Sequence, residues 1–282
     1  MLTLNQTKEI FENHYKKRII FYNDSDIAKW QEYKRIHSYE VLEVGLEIIK
    51  NTPELLNLSP EKLETGKCAL LFHDIGRFYE YDNNHTLRRD IKHGALGTQV
   101  LENLEKITDL NILLPVKYHD LIDFSELYQN TEYLKLGKKE QQENLLLLKL
   151  VKDADMLSNY RTQTKTGFFT IKQPNILKIN PILIQNIKDE QVASYTHIQS
   201  VLDLGLCITC WQFNLNFNYT KSRMLEEKIN YQSLKTLRNI VTTAKKELLE
   251  KGIDKKQIEK DEQKVSEQIT QIENILKEQS AL

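Results

Sequence analysis

Cysteine, glycine and proline are scarce in this chain of 282 residues, which contains three, nine and five of them. Three cysteines cannot build a disulfide framework, so a hydrophobic core has to hold the fold together, as in proteins of a reducing compartment. Glycine and proline interrupt regular elements, and their scarcity leaves long segments in which apolar residues recur every three or four positions. This spacing predicts an all-α protein.

Three further absences narrow the classes of function. Acidic and basic residues nearly cancel, giving a formal net charge of -1, so the sequence predicts no broad basic surface for nucleic acid or anionic membranes. The longest apolar runs, such as "LLLLKLV" at 145–151, are too short to cross a bilayer. The N-terminus shows no apolar signal core followed by a cleavage site. We therefore expect a cytoplasmic protein.

Two of the cysteines form a CxxC motif within "LGLCITCWQF" at 204–213. Cys207 and Cys210 stand among apolar residues at helical spacing, and no second cysteine pair exists to complete a zinc or redox site. The pattern favours buried core thiols.

The apolar periodicity predicts ten helical segments and one irregular stretch. The helical segments are 4–20, 25–51, 60–75, 90–106, 109–122, 141–161, 181–187, 190–214, 217–228 and 231–278. Asp90 is a predicted N-cap, and 161–181 is expected to form a short strand pair or a surface loop. We predict a helical core over 1–230, followed by amphipathic C-terminal helices over 231–282. These pack on the core as a hairpin or form the coiled coil of a homodimer.

Six ionisable residues stand on helix faces that their apolar neighbours predict to be buried. They are His37, His73, Asp74, His93, His119 and Asp155. Burying a charged carboxylate is costly unless it is paired, and a cation shared among these groups would offset that cost. On the same criterion Asp153 is expected to face a more polar side. His197 also stands on an apolar face, but nothing near it in the sequence resembles a site.

The order of these residues resembles the HD-domain superfamily of metal-dependent phosphohydrolases over about residues 30–160. The most specific pieces are "LLFHDIGRF" at 70–78 and the Ala-Asp-x-Leu pattern at 154–157. The resemblance implies a helical bundle in which one set of residues binds a divalent metal, namely His37, His73, Asp74 and Asp155. In members with two metals, the aspartate of the doublet bridges them and further histidines bind the second. His93 and His119 match those places, although His119-Asp120 stands where some members have paired histidines.

The resemblance leaves one or two divalent ions open, among Mn, Fe, Ni, Co, Zn and Mg. Such ions lower the pKa of bound water and clamp the oxygens of a phosphorus centre. We therefore expect hydrolysis of a small-molecule phosphate ester, of a nucleotide or related compound, by a metal-bound hydroxide that Asp74 orients. Arg77 is the first candidate to hold the substrate phosphate, followed by Lys92 and Lys117. A nucleotide base has four candidate stacking partners, Tyr79, Tyr81, Tyr118 and Tyr160.

Two alternatives remain open. One is a phosphodiesterase acting on a cyclic or linear nucleotide diester, and the other is a catalytically silent regulatory or scaffold protein that keeps the helical fold. "HDIGRF" at 73–78 lacks the Glu-Asp pair that follows the doublet in ppGpp hydrolases and the His-Pro-Pro-Phe-like run of dNTP triphosphohydrolases. The sequence also lacks the Gly-Tyr-Pro motif of the HD-GYP branch. The sequence therefore does not identify the substrate.

Overall fold

The computed structural model describes residues 1–22, 26–81, 92–166 and 176–279, which form helices joined by turns. No β-strand occurs in these ranges, so the predicted all-α fold is confirmed. The predicted N-cap Asp90 and residues 167–175 of the irregular stretch 161–181 lie outside the described residues. Residues 161–166 of that stretch are helical, so the prediction of a strand pair or loop is wrong there. None of the described helices combines the length and the apolar character that a membrane crossing requires.

Fourteen α-helices lie within the described ranges. In chain order they are α1 Leu4–Ile19, α2 Asp26–Asn51, α3 Pro53–Leu56, α4 Pro60–Phe72, α5 His93–Asn103, α6 Leu110–Tyr118, α7 Ser125–Tyr128, α8 Thr131–Lys135, α9 Lys138–Thr166, α10 Pro181–Lys188, α11 Val201–Cys210, α12 Asn218–Glu226, α13 Ile229–Glu250 and α14 Lys255–Glu278. The short 3-10 helices are Ile20–Tyr22, Ile75–Tyr79, Tyr195–His197 and Trp211–Asn214.

The chain divides into two compact units, Met1–Ser158 and Asn159–Leu282. Apolar periodicity predicts a boundary at 230/231 instead. The difference arises in the second unit, because α10 packs on α14 and α11 packs on α13. Apolar periodicity shows that each of these helices has a buried face, but it does not show which helix covers that face.

Helix α4 is the centre of the first unit and packs against α1, α2 and α6. It begins with Ser59 as N-cap and Pro60 as first residue, both favourable there. Every residue of its last turn is buried, from Cys68 to Phe72. The predicted helix 60–75 therefore ends three residues early, and His73 and Asp74 link it to the 3-10 helix Ile75–Tyr79.

Two glycines allow α5 to lie close to the 3-10 helix Ile75–Tyr79 and to the end of α6. A Cβ atom on Gly76 would collide with the carbonyl oxygen of His93. A Cβ atom on Gly94 would lie 2.7 Å from the carbonyl oxygens of Val116 and Lys117. Because glycine has no Cβ, the first turn of α5 packs directly against backbone on both sides.

In the second unit, α13 and α14 form a helical hairpin. Gly252 turns the chain with a φ of 75°, and its N–H donates to Leu249 while the N–H of Ile253 donates to Leu248. These paired bonds form a Schellman motif, which favours glycine. In α11 the Cys207 and Cys210 thiols are free and buried, as their spacing predicted, and burial raises the pKa of each to about 12.

Candidate metal centre

The six side chains predicted as metal ligands come together in the first unit. His37 lies in the middle of α2, His73 and Asp74 follow α4, His93 begins α5, His119 follows α6 and Asp155 lies in α9. All except His93 and Asp155 are buried, and these two are largely enclosed, with 13% and 24% of their side chains exposed.

One group of donors lies around the Oδ2 atom of Asp74 and two histidines. His73 Nε2 lies 3.5 Å from this oxygen and His37 Nε2 lies 3.9 Å from it. Asp155 Oδ1 lies beside the same two histidines, at 2.9 Å from His37 Nε2 and 3.7 Å from His73 Nε2. We call these four residues the first donor set.

A second group surrounds the other oxygen of the same carboxylate. Asp74 Oδ1 lies 3.3 Å from His93 Nε2 and 3.9 Å from His119 Nε2, and the two nitrogens are 3.0 Å apart. We call Asp74, His93 and His119 the second donor set. Asp74 therefore belongs to both sets, with one oxygen facing each.

The ends of α4 and α6 fix the orientation of two imidazoles. His73 and His119 each follow the last residue of a helix, and each Nδ1–H donates to the carbonyl three residues back, Leu70 and Val116, at 2.8 Å. This leaves the Nε2 lone pair of each ring directed into the cluster, the arrangement typical of metal-binding histidines. His73 Nε2 is buried without a hydrogen-bond partner. A buried orphaned nitrogen of this kind fits a metal ligand.

The electrostatics keep the two carboxyl groups ionised. Burial alone would raise the pKa of Asp74, but the Lys34 ammonium and His73 hold it well below its usual range. Burial likewise opposes ionisation of Asp155, and the hydrogen bond from His37 lowers its pKa below the usual range. Carboxylates are the form that binds metals.

Most of the imidazoles are held neutral, which is also their metal-binding form. Burial lowers the pKa of His37, His93 and His119, and positive neighbours lower it further: Lys34 for His37, Arg77 for His93 and His73 for His119. His73 differs, because the negative charge of Asp74 outweighs the effect of burial and raises the pKa of His73. A proton therefore competes with a metal at His73.

Within the part of the chain that the structure describes, three combinations of three donor atoms have the spacing to hold a metal ion. They are His37 with His73 and Asp74, His73 with His119 and Asp155, and Asp74 with His93 and His119. Imidazole nitrogen and carboxylate oxygen suit divalent first-row ions. The residues present therefore fit the divalent metal that the sequence led us to expect.

The family model described as HD domain matches residues 35–160, a span that includes all six clustered side chains. The chain contains an HD domain. No curated protein and no solved structure matches the chain significantly. HD domains bind divalent metals, in agreement with the donor sets described above.

Two cationic side chains lie beside Asp74 in the HD domain, and the sequence predicted one of them, Arg77. Arg77 Nε lies 3.4 Å from Asp74 Oδ1, and its Nη1 pairs with Glu80 at 2.5 Å. Lys34 Nζ lies 2.7 Å from Asp74 Oδ2, and Lys34 is 7% exposed. Lys34 lies three residues before His37, on the same buried face of α2. This spacing is the feature of the sequence by which Lys34 could have been identified as a residue of the site.

The other two predicted phosphate cations do not contact the donor sets in the described structure. Lys92 pairs with Glu126 at 2.8 Å, and both side chains are more than half exposed. Lys117 Nζ lies 5.2 Å from the centre of the Tyr118 ring.

The predicted stacking tyrosines are also differently placed. Tyr118 and Tyr160 are buried, and their hydroxyls bond to Asn130 and to the carbonyl of Ile208. A buried ring with both faces covered cannot stack on a substrate. Tyr79 bonds to His14, and Tyr81 packs edge-on against Tyr22. An aromatic stack that reaches the first donor set lies instead on α2, where Trp30 packs on Tyr33 and Tyr33 packs on His37, with centroid distances of 5.5 and 6.0 Å.

Two further aspartates lie near the cluster in the sequence, and one of them differs from its predicted placement. Asp153 is fully buried, so the prediction that it faces a more polar side is wrong, because α9 is enclosed on that side as well. Asp120 Oδ2 lies 3.3 Å from His93 Nδ1, where it can orient that imidazole. Among the described residues, neither Asp120 nor His197 belongs to a group spaced to hold a metal.

Proposed function

We propose that this HD domain hydrolyses a phosphate ester of a nucleotide or a related small molecule, with one or two divalent ions held by the donor sets. The observation that supports it best is the carboxylate of Asp74, which presents one oxygen to each set. A carboxylate shared in this way is typical of sites that act on phosphoryl groups.

Each residue of the site contributes a separate part of this activity. The donor sets hold the ions, and a divalent ion supplies acidified water and polarises a phosphoryl oxygen. Asp74 fixes the two sets relative to each other. Arg77, beside Asp74 Oδ1, offers a planar guanidinium that can bind two oxygens of a phosphate. Burial excludes bulk water and strengthens these charge interactions.

The experiment uses the full chain purified with added manganese, iron or nickel. We expect phosphate to be released from one or more nucleoside monophosphates, and we expect Arg77→Met to raise KM more than it lowers kcat, because Arg77 binds substrate in the proposal. Metal content is measured on the same samples. Metal-loaded protein that opens bis-p-nitrophenyl phosphate, but releases no phosphate from monoesters, would instead favour the phosphodiesterase alternative. Fewer than one ion per chain and no turnover would favour the silent alternative.

A further inference from the structure

Lys34 is buried against the oxygen of Asp74 that faces the first donor set. Its Nζ lies 2.7 Å from Oδ2, the same atom that is 3.5 Å from His73 Nε2 and 3.9 Å from His37 Nε2. Its ammonium also lies 5.1 Å from the centre of the Trp30 ring and 5.6 Å from that of Tyr33. Aromatic faces attract cations, so the rings and the carboxylate together fix its position.

Arg77 occupies the corresponding place on the other oxygen, with Nε 3.4 Å from Asp74 Oδ1. Each oxygen of the shared carboxylate therefore faces one donor set and has one cationic side chain beside it. A metal bonded to Oδ2 shares that oxygen with the Lys34 ammonium, and two positive charges on one oxygen repel each other in a buried site. An anion bound at the same place removes this repulsion.

We propose that Lys34 is a phosphate-binding residue of the HD domain and that it opposes metal binding until a phosphate group is present. The proposal rests on the proposed function for the identity of the anion. It assigns a role to a residue outside the expected metal ligands, and it makes metal and phosphate binding mutually favourable. Removal of the Lys34 charge should therefore change the two affinities in opposite directions.

Calorimetric titration measures both affinities in the full chain at one pH. Mn²⁺ is titrated into chelator-treated protein, and inorganic phosphate is titrated into protein saturated with Mn²⁺. For Lys34→Met we expect Mn²⁺ to bind about tenfold more tightly and phosphate about tenfold more weakly, because loss of one partner of a close charge pair changes binding by at least this much. Lys34→Gln, which keeps a hydrogen-bond donor without the charge, should change both affinities in the same directions.

Lys62 provides a matched control, because it is a partly buried, paired lysine of the same unit. Its Nζ lies 2.6 Å from Asn111 Oδ1 and 3.3 Å from Glu143 Oε2, and it contacts neither donor set. Lys62→Met should leave both affinities unchanged. A thermal unfolding transition, measured in the presence of Mn²⁺, checks that each variant is folded. Mn²⁺ is added because it replaces the positive charge that Asp74 loses when Lys34 is substituted.

If Lys34 had a purely structural role, its substitution would weaken the binding of both Mn²⁺ and phosphate. Mn²⁺ binding that is unchanged or weaker in both variants overturns the proposal, and so does unchanged phosphate binding. Neither titration requires turnover. Wild-type protein that binds Mn²⁺ and phosphate but hydrolyses no ester would therefore contradict the proposed function without affecting this test.

Discussion

His73 has the geometry of a metal-binding histidine on both of its ring nitrogens. Its Nδ1 is bound to the carbonyl of Leu70, and its Nε2 is buried without a partner. The apolar end of α4 explains this position, because Leu70, Leu71 and Phe72 are fully buried and carry the next residue into the core. An apolar run that ends in a histidine thus orients a ligand.

His73→Ala should abolish metal binding, with affinity for Mn²⁺ weakened by at least about 100-fold, because loss of a ligand exceeds the effect of losing a supporting hydrogen bond. Metal content after dialysis measures this. His14→Gln is the control, since His14 is a buried histidine whose nitrogens bond to Tyr79 and Glu105. It should lose about 1–3 kcal/mol in free energy of unfolding and keep its metal. Full metal content in His73→Ala would contradict the assignment.

Lys152 is a second buried cation. Because its charge is buried, we expect the stability of the protein to depend on pH. Its ammonium donates to the carbonyl of Leu121, and burial, which the charges of Asp120 and Asp153 partly offset, lowers its pKa to about 8. The unfolded chain keeps this proton until about pH 10.4. Between these values the unfolded state binds more protons, so stability rises with pH. The buried charge lowers the free energy of unfolding by its full amount below pH 8, and this loss of stability disappears above about pH 10.

Relative to Lys152→Met, the wild-type free energy of unfolding should therefore increase by about 2–3 kcal/mol between pH 8 and pH 10.4. Denaturant unfolding in the presence of a chelator measures the difference at each pH. Comparison with the variant cancels the titration of other groups. A difference that stays constant over this range would show that Lys152 titrates normally.

At the scale of elements, the site depends on how closely α5 approaches its neighbours. His93 is the first residue of α5, and Gly94 lies against the carbonyls of Val116 and Lys117 in α6. His119 follows directly at the end of α6. The packing of these two helices therefore sets the 3.0 Å distance between His93 Nε2 and His119 Nε2.

Gly94→Ala should destabilise the protein by about 1–3 kcal/mol, because the new Cβ meets backbone oxygen atoms that cannot rotate away. It should also weaken metal binding by the second donor set. If the wild-type protein binds two Mn²⁺ ions per chain, the variant should bind fewer. The control is Gly137→Ala, where the nearest atom to the new Cβ is the Glu140 carboxylate at 3.8 Å. We expect that change to stay within about 0.5 kcal/mol. Equal effects of the two substitutions would exclude a special role for the close approach at Gly94.

At the scale of the whole molecule, the six clustered residues all belong to one of the two compact units, Met1–Ser158. A metal that binds only the folded form of this unit stabilises it by mass action, by about 2.7 kcal/mol at a concentration 100 times Kd. The second unit, with the α13–α14 hairpin, contributes no residue to these groups within the described ranges. The homodimer proposed through its C-terminal helices stays a prediction.

Mn²⁺ at 100 times its Kd should therefore raise the melting temperature of the wild-type protein by roughly 5–10 °C. Differential scanning calorimetry measures the shift, and a chelator should reverse it. His73→Ala should show no shift at the same concentration. An equal shift in that variant would mean that Mn²⁺ stabilises the protein from another place.

The sequence by itself determined the approximate positions of the long helices and which ionisable residues their apolar faces carry inward, because both follow from spacing along one helix. His37 and Asp155, 118 residues apart, could be placed together only through the family resemblance, and the structure brings them within 2.9 Å. Tertiary packing decided the rest. It buried Asp153, assigned α10 and α11 to the C-terminal helices, and set Lys34 against Asp74. Periodicity shows that a helix face is buried. Only the contacts between helices that are distant in the sequence decide which group compensates the charge of a residue on that face.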